Sequence, residues 1–538
     1  MAREFTWRSE SCARRAGRRK RRTRPTRRRS RSIPRTRRRS IGSPRRGSRA
    51  GISSGRSTRG TERHGTRRIA RPSGGGTRSS FRDCRRLPRR GTRRLSWSAE
   101  RPPQQTTPTL PRRRHERRLE DRDERSMVAP AMRFAVLVTP FFNESAIRFI
   151  AALLDVPALR LAVVSQDVEE NLPAELLGRL VKHFRVSNVQ DTAELVAATR
   201  WLHANVAPVD RLLGVSEFVQ VAVAEARDAL GLPGPGAEVI RNFRDKPRMK
   251  DVLRAAGLPC ARHRLATNEA EARRFADEVG FPLVAKPPAG VGSASTFIVK
   301  DTAEFDRVLS LSSPTPASPV LLEEFVGGAE HTFDAVVIGG KPVWYSISRY
   351  LPNPIEVVEN PWIQWCVLLP RDISGPEFAP IRELGFRALS VLGLETGICH
   401  MEWFRQDDGR IVLSEVAARP GGAQLMNLNA RAHDFDMYGQ VARLIAFDTF
   451  EAPRERKYAT GAAFLRGQAP GVVREVWGVE EAEQAFGEMI TDVKWPKVGE
   501  PRSASYEGEG YVLVRHPETE GVAEALRQIV QSVRVISH

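Results

Sequence analysis

The chain has 538 residues and a formal net charge of +23, and that charge sits at one end: residues 1–126 hold 43 of the 86 basic residues and 10 of the 63 acidic ones, which leaves residues 127–538 at −10. The length exceeds one ordinary domain and indicates three or four. No stretch reaches the ~18 continuous apolar residues of a membrane span, and five cysteines (Cys12, Cys84, Cys260, Cys366, Cys399) without CxxC spacing exclude a disulfide framework and fit a reducing, cytoplasmic setting.

Residues 1–126 are mostly Arg, Ser, Gly, Pro and Thr, with Lys20 as the one lysine. Without apolar periodicity no core forms, so disorder is expected. Arg-rich tails can bind nucleic acid by counterion release. The preferred reading is plainer. Abundant Arg with almost no Lys is what G+C-rich DNA yields when translated upstream of a start, and nucleic acid is not expected as a partner. Met127 or Met132 opens the first patterned strand, Arg133–Thr139.

From there the pattern is α/β. A strand at Phe134–Val138 precedes a helix near Ser145–Leu154, and a strand at Arg160–Ser165 precedes a helix at Ala174–His183. A helix at Thr192–Asn205, a strand at Leu212–Ser216 and a helix at Glu217–Leu230 follow. Strands alternating with helices imply a parallel sheet. The Gly231–Gly236 turn cluster marks a boundary. Asp245 then caps a helix whose first turn holds Pro247. Next come a strand at Arg262–Ala266, a helix at Glu269–Glu278, and strands at Leu283–Lys286, Thr296–Val299 and Val320–Phe325, with a loop expected over Ser310–Ser318. Strands Thr332–Ile338 and Pro342–Ser348 pair through Gly339-Gly340. The last region carries strands at Gly461–Leu465 and Gly510–Val514 and a helix near Thr519–Val533.

Four constellations carry chemistry. Lys286 ends a strand and is followed by a Gly/Ser loop containing Gly290, Gly292 and Ser293, a combination that brings backbone N–H groups and a cation to phosphate. Ile398–Phe404 and Arg410–Val416 are alternating strands around Gln406–Gly409. A two-residue Asp408-Gly409 turn would oppose Glu402 to Glu415, with Cβ atoms about 4.5–5.5 Å apart. Two such carboxylates repel unless a cation lies between them, and carboxylates with open positions suit Mg²⁺ beside a phosphate. Arg419, in Glu415-Val-Ala-Ala-Arg-Pro-Gly-Gly422, could grip phosphate or a substrate carboxylate. Glu323-Glu324-Phe325-Val326 ends a strand with backbone groups available to a base edge, and Glu330 could accept from ribose hydroxyls.

Together, and in this order, these motifs resemble the ATP-grasp superfamily, most closely its carboxylate–amine ligase branch, which includes L-amino-acid ligases. The resemblance implies an ATP-grasp α/β fold preceded by the disordered Arg-rich segment (1–126). The parts implied are an N-terminal parallel-sheet (pre-ATP-grasp) domain over 132–236, an ATP-grasp domain over 237–450 with a small lid subdomain at about 260–326, and a C-terminal α+β domain over 451–538. It implies that Lys246 and Lys286 hold ATP phosphates, that Gly290–Ser293 belong to the lid loop, that Glu323–Val326 form the adenine linker, that Glu330 meets the ribose, and that Glu402 and Glu415 bind Mg²⁺ or Mn²⁺. The implied reaction activates a small-molecule carboxylate as an acyl phosphate and transfers it to an amine, and a homodimer is common in the family. Relatives often carry Asn two residues after the second glutamate, where this chain has Ala417. The alternatives are a biotin-carboxylase-like or carboxylate–thiol ligase and a non-catalytic ATP-binding protein.

Overall fold

The structure is a computed structural model that describes residues 131–288, 296–360, 363–503 and 505–538. The first sheet comprises β1 (Arg133–Thr139), β2 (Leu159–Ser165), β3 (Lys182–Arg185) and β4 (Arg211–Gly214), all parallel, in the order β3-β2-β1-β4. Side chains of a strand alternate between faces. Phe134, Val136 and Val138 of β1 accordingly join one hydrophobic cluster, and Ala135 and Leu137 join another on the far side. Both faces are covered by helices, which is why β1 reads as a continuous apolar run. The chain steps from β1 to β2 to β3 and then returns to place β4 on the other side of β1. Such a reversal leaves a crevice at the carboxyl ends of the two strands. The segments leaving β1 and β4 there carry Asn143, Ser145, Ser216 and Glu217.

The structure corrects the sequence reading at β3. The helix begun at Ala174 stops at Arg179, and Lys182–Arg185 pairs in parallel with Ala162–Ser165 instead of continuing it. Edge pairing outweighs the local preference of a short polar segment.

A second sheet, β5 (His263–Ala266), β6 (Leu283–Lys286), β7 (Phe297–Val299) and β8 (Val320–Glu324), has the antiparallel order β5-β8-β6-β7. Helices Glu269–Val279 and Thr302–Ser312 cover one face, through Phe275, Phe305 and Leu309 among others. The second helix runs into the expected Ser310–Ser318 loop. Its N-cap, Asp301, accepts from the Glu304 N–H, and the apolar stripe Phe305–Leu309 carries it onward. Leu283 and Ala285 point at these helices, so Val284 and Lys286 point the other way.

The third sheet has eight strands: β9 (Ala329–Ile338), β10 (Lys341–Leu351), β11 (Trp365–Leu369), β12 (Gly397–Arg405), β13 (Ile411–Ala417), β14 (Ala459–Leu465), β16 (Ile490–Lys494) and β17 (Gly510–His516). Their order is β13-β12-β9-β10-β11-β14-β17-β16, so strands from beyond residue 451 continue the sheet that begins at residue 329. The remaining strands, β15 (Val473–Trp477) and β18 (Arg534–Ser537), pair with each other. One face of the large sheet presents Phe333, Ala335, Met401 and Trp403 to helix Ala379–Leu392. The residues between them, Glu330, Thr332, Asp334, His400 and Glu402, share the opposite face by the two-residue period of a strand.

Two buried histidines predict how stability depends on pH. His331 stacks on Trp403 at 4.5 Å, and burial, with Arg349 and Arg405 nearby, pushes it down to about 3. Burial and Arg456 push His433 down to about 4. An unfolded histidine titrates near 6.5. Below that pH the unfolded chain binds protons that the folded chain refuses, so this stability is complete above about pH 6.5 and is lost as pH falls toward 3–4. Denaturant unfolding at pH 7 and pH 5 should show lower stability at pH 5, and His331→Phe should shrink the difference. An equal difference in the variant would contradict this assignment.

Candidate active site

The hairpin β12–β13 has a longer turn than the sequence suggested. Gln406 N–H donates to Arg410 O and Gly409 N–H to Gln406 O, around a three-residue loop with Gly409 at φ +83°. Arg405 then pairs with Ile411, Phe404 with Val412 and Trp403 with Leu413. Continued unbroken, that register would set Glu402 against Ser414. A β-bulge inserts Ser414, and beyond it Glu402 faces Glu415 and His400 faces Ala417. The two-residue turn was therefore the wrong premise for a pairing that the bulge restores. Bulges of this kind re-aim side chains beside functional sites. The bulged Ser414 carbonyl accepts from Lys250 Nζ at 3.0 Å.

Lys246 and Lys250 lie one turn apart on helix Lys246–Ala255, so both point the same way. Asp245 caps that helix by accepting from Arg248 N–H, and Pro247 sits in its first turn. Lys246 Nζ reaches Glu415 Oε1 at 2.8 Å. Lys286 Nζ, from β6, lies 3.0 Å from Glu323 Oε2, and Lys250 Nζ lies 3.4 Å from Glu323 Oε1. Glu323 thus stands between two ammonium groups, and Lys250 is fully buried. Burial pushes Lys250 down, with Lys286 adding to the effect against Glu323. For Lys286 burial is outweighed by Glu323 and Glu415, which hold it up. Burial opposes ionisation of Glu415, yet Lys246 and Lys286 hold its carboxyl well below the usual range.

These groups open onto one cleft of about 930 Å³. Lys246, Lys286, Glu323, Glu324, Phe325, Val326, Glu330, Glu402, Glu415 and Arg419 all line it. Gly290, Gly292 and Ser293 lie outside the described residues. The Glu323 carboxylate faces the two lysines, and the Glu324 carboxylate accepts from Arg262 Nε at 2.6 Å and from Arg262 N–H at 2.8 Å. Both carboxylates are thus engaged by cationic side chains. Burial, with Glu402 adjacent, pushes Glu330 well above the ordinary carboxylate range.

Sequence reasoning missed Lys250, Glu217 and Asp334. The four-residue spacing from Lys246 was the available signal for Lys250; the other two are joined to the site only by the fold. Glu217, buried after β4, pairs with Arg419 Nε and lies 3.5 Å from Arg244. Asp334 accepts from His400 Nδ1 at 2.8 Å, and His400 Nε2 lies 3.7 Å from Glu402. Burial works against a charge on His400, but Asp334 and Glu402 outweigh it and push the ring up to about 9. Gly421 lets the next loop cross this pair, since a Cβ there would meet Asp334 Oδ1 and His400 Nδ1 at 3.0 Å each.

Residues 251–433 match the ATP-grasp domain model. The chain contains an ATP-grasp domain. The matched range includes Lys286, Glu323, Glu330, Glu402, Glu415 and Arg419, and Lys246 lies just ahead of it. The crystal structure of L-amino acid ligase from Bacillus licheniformis aligns over 76% of this chain and 99% of its own, with a TM-score of 0.61 and 19% identity, and so has the same fold. Protein y4rH of Sinorhizobium fredii is 27% identical over 71% of this chain and 75% of its own length. The L-arginine-specific L-amino acid ligase of Bacillus subtilis is 22% identical over 56% of this chain and 74% of its own.

Among the described residues no group of three or more His, Cys, Asp or Glu side chains forms a ready metal cage. Two opposed carboxylates are nevertheless a donor set that suits Mg²⁺ in an ATP-grasp domain, because that ion takes one or two carboxylates and completes its shell with phosphate oxygens and water. No helix among the described residues is long and apolar enough to cross a membrane.

Proposed function

We propose that this chain is an ATP-dependent carboxylate–amine ligase that forms ADP, phosphate and a C–N bond. One observation carries the reading: Glu402 and Glu415 meet Lys246 and Lys286 in a single cleft where the parallel sheet, the small sheet and the large sheet come together. A carboxylate resists attack by an amine because oxide is a poor leaving group. Attack of a carboxylate oxygen on the γ-phosphorus of ATP breaks the bond to ADP and gives an acyl phosphate. The amine then attacks the carbonyl carbon, and phosphate departs with the C–O bond.

Each residue has a part in this. Lys246 and Lys286 neutralise charge on the transferring phosphoryl group, held at fixed positions by Glu415 and Glu323. Glu402 and Glu415 would hold Mg²⁺, which offsets phosphate charge when bound. The Phe325–Val326 backbone and the apolar Val284 and Ile298 side chains suit an adenine ring. Arg419, kept in place by Glu217, faces the reacting carboxylate.

Pairs of carboxylic acids and amines, amino acids included, should be screened with Mg-ATP for phosphate and ADP release. A defined pair should raise release at least ~10-fold above ATP alone, with a condensed product of matching mass. Release that no pair stimulates, with ATP bound, would favour a non-catalytic nucleotide-binding protein.

A further inference from the structure

Beside the nucleotide cleft lies a second cavity of about 370 Å³, between the start of helix Glu144–Leu154 and the loop after Arg419. Five charged side chains line it: Glu144, Arg148, Glu217, Arg419 and Glu507. Four are matched. Arg148 Nη2 lies 2.8 Å from Glu144 Oε1, and Arg419 Nε is paired with Glu217. Glu507 has no ion pair among the described residues, and it lines both this cavity and the nucleotide cleft. Among the charged side chains that line the second cavity, Glu507 is therefore the one outside an ion pair, at the junction with the site of reaction.

The position of Glu507 is set by its surroundings. Tyr506, next in the chain, packs edge-on against the buried Trp365 at 4.7 Å, and Glu507 N–H donates to Ser505 Oγ at 3.1 Å. Burial raises the Glu507 carboxyl and Glu144 adds to the effect, while the Ala423 amide and, more weakly, the Lys494 ammonium oppose it. A partly buried carboxylate is costly without a cationic partner. An ammonium group leaving water for this cavity carries the mirror-image cost. Binding one against the other offsets part of both costs.

Resting on the ligase reading above, we propose that Glu507 is the specificity residue that receives the ammonium group of an amino-acid substrate whose carboxylate faces Arg419 and the cleft. An acid of the same shape without the amino group leaves Glu507 unpaired. A site built around a polar or charged partner rejects such analogues strongly, by ~10²-fold or more.

The test uses the full chain with Mg-ATP, hydroxylamine as a common amine acceptor, and two equimolar pools: the twenty amino acids, and the same acids without their α-amino groups. The wild type should release phosphate at least ~10²-fold faster with the amino-acid pool. Glu507→Gln should cut that ratio at least ~10-fold through KM for the amino acid, and Glu507→Asp should restore part of it. An unchanged ratio in Glu507→Gln, or equal use of both pools by the wild type, overturns the assignment. If neither pool stimulates release, the ligase reading has failed and binding decides Glu507 alone. With a nonhydrolysable ATP analogue, the amino-acid pool should then raise the melting temperature of the wild type and not of Glu507→Gln, and no difference between them rejects the proposal.

Discussion

Glu415→Gln should abolish amine-dependent phosphate release, by at least ~10²-fold in kcat, while the protein remains folded. The substitution keeps the shape of the side chain and removes the charge that would bind Mg²⁺, and loss of one aligned electrostatic contact to a transition state costs about that much. The fold should tolerate it because two effects oppose each other. The variant loses the 2.8 Å ion pair to Lys246, and it also relieves the repulsion between Glu415 and the directly opposed Glu402. Steady-state phosphate release and thermal melting, measured together, separate these outcomes. Unchanged turnover removes Glu415 from the reaction. Lost turnover with a collapsed melting transition makes its role structural.

Glu323→Ala should have the largest effect on stability, about 3–5 kcal/mol, because it strands two buried ammonium groups. Lys250 is fully buried, and both it and Lys286 rely on the Glu323 carboxylate. The diagnostic is non-additivity. Lys250→Met added to Glu323→Ala should recover part of the loss, because it removes one of the stranded charges. Urea unfolding of the two single variants and the double variant measures this directly. A double variant that loses the sum of the single losses would show that the three groups do not act as a unit.

Much of the architecture was legible because its signals are local. The β1 run Arg133–Thr139 is apolar enough to be a strand buried on both faces, and Asp245 with Pro247 announces the helix that begins at Lys246. The parts that were not legible depend on partners distant in sequence. Lys182–Arg185 is a strand only because β2 offers it an edge, and helix Ala379–Leu392 went unread although its buried residues close the core beneath Phe333 and Met401.

The site shows the same division. Glu402 and Glu415 could be paired from the alternation of two neighbouring strands, yet the turn assumed for them was one residue too short, and only the bulge at Ser414 brings them back into register. No local pattern could reveal that bulge, since its carbonyl is satisfied by Lys250 from a helix some 160 residues earlier. Glu217, Asp334 and Glu507 were invisible for the same reason: Glu217 and Glu507 join the cleft from distant segments, and Asp334 reaches it through His400 on the neighbouring strand.

A crystal structure with Mg²⁺ and a nonhydrolysable ATP analogue tests the central claim most directly. It should show a metal ion coordinated by carboxylate oxygens of Glu402 and Glu415 at about 2.1 Å, with Lys246 and Lys286 on the phosphates. A nucleotide bound elsewhere, or bound in this cleft with neither glutamate on the metal, would contradict it.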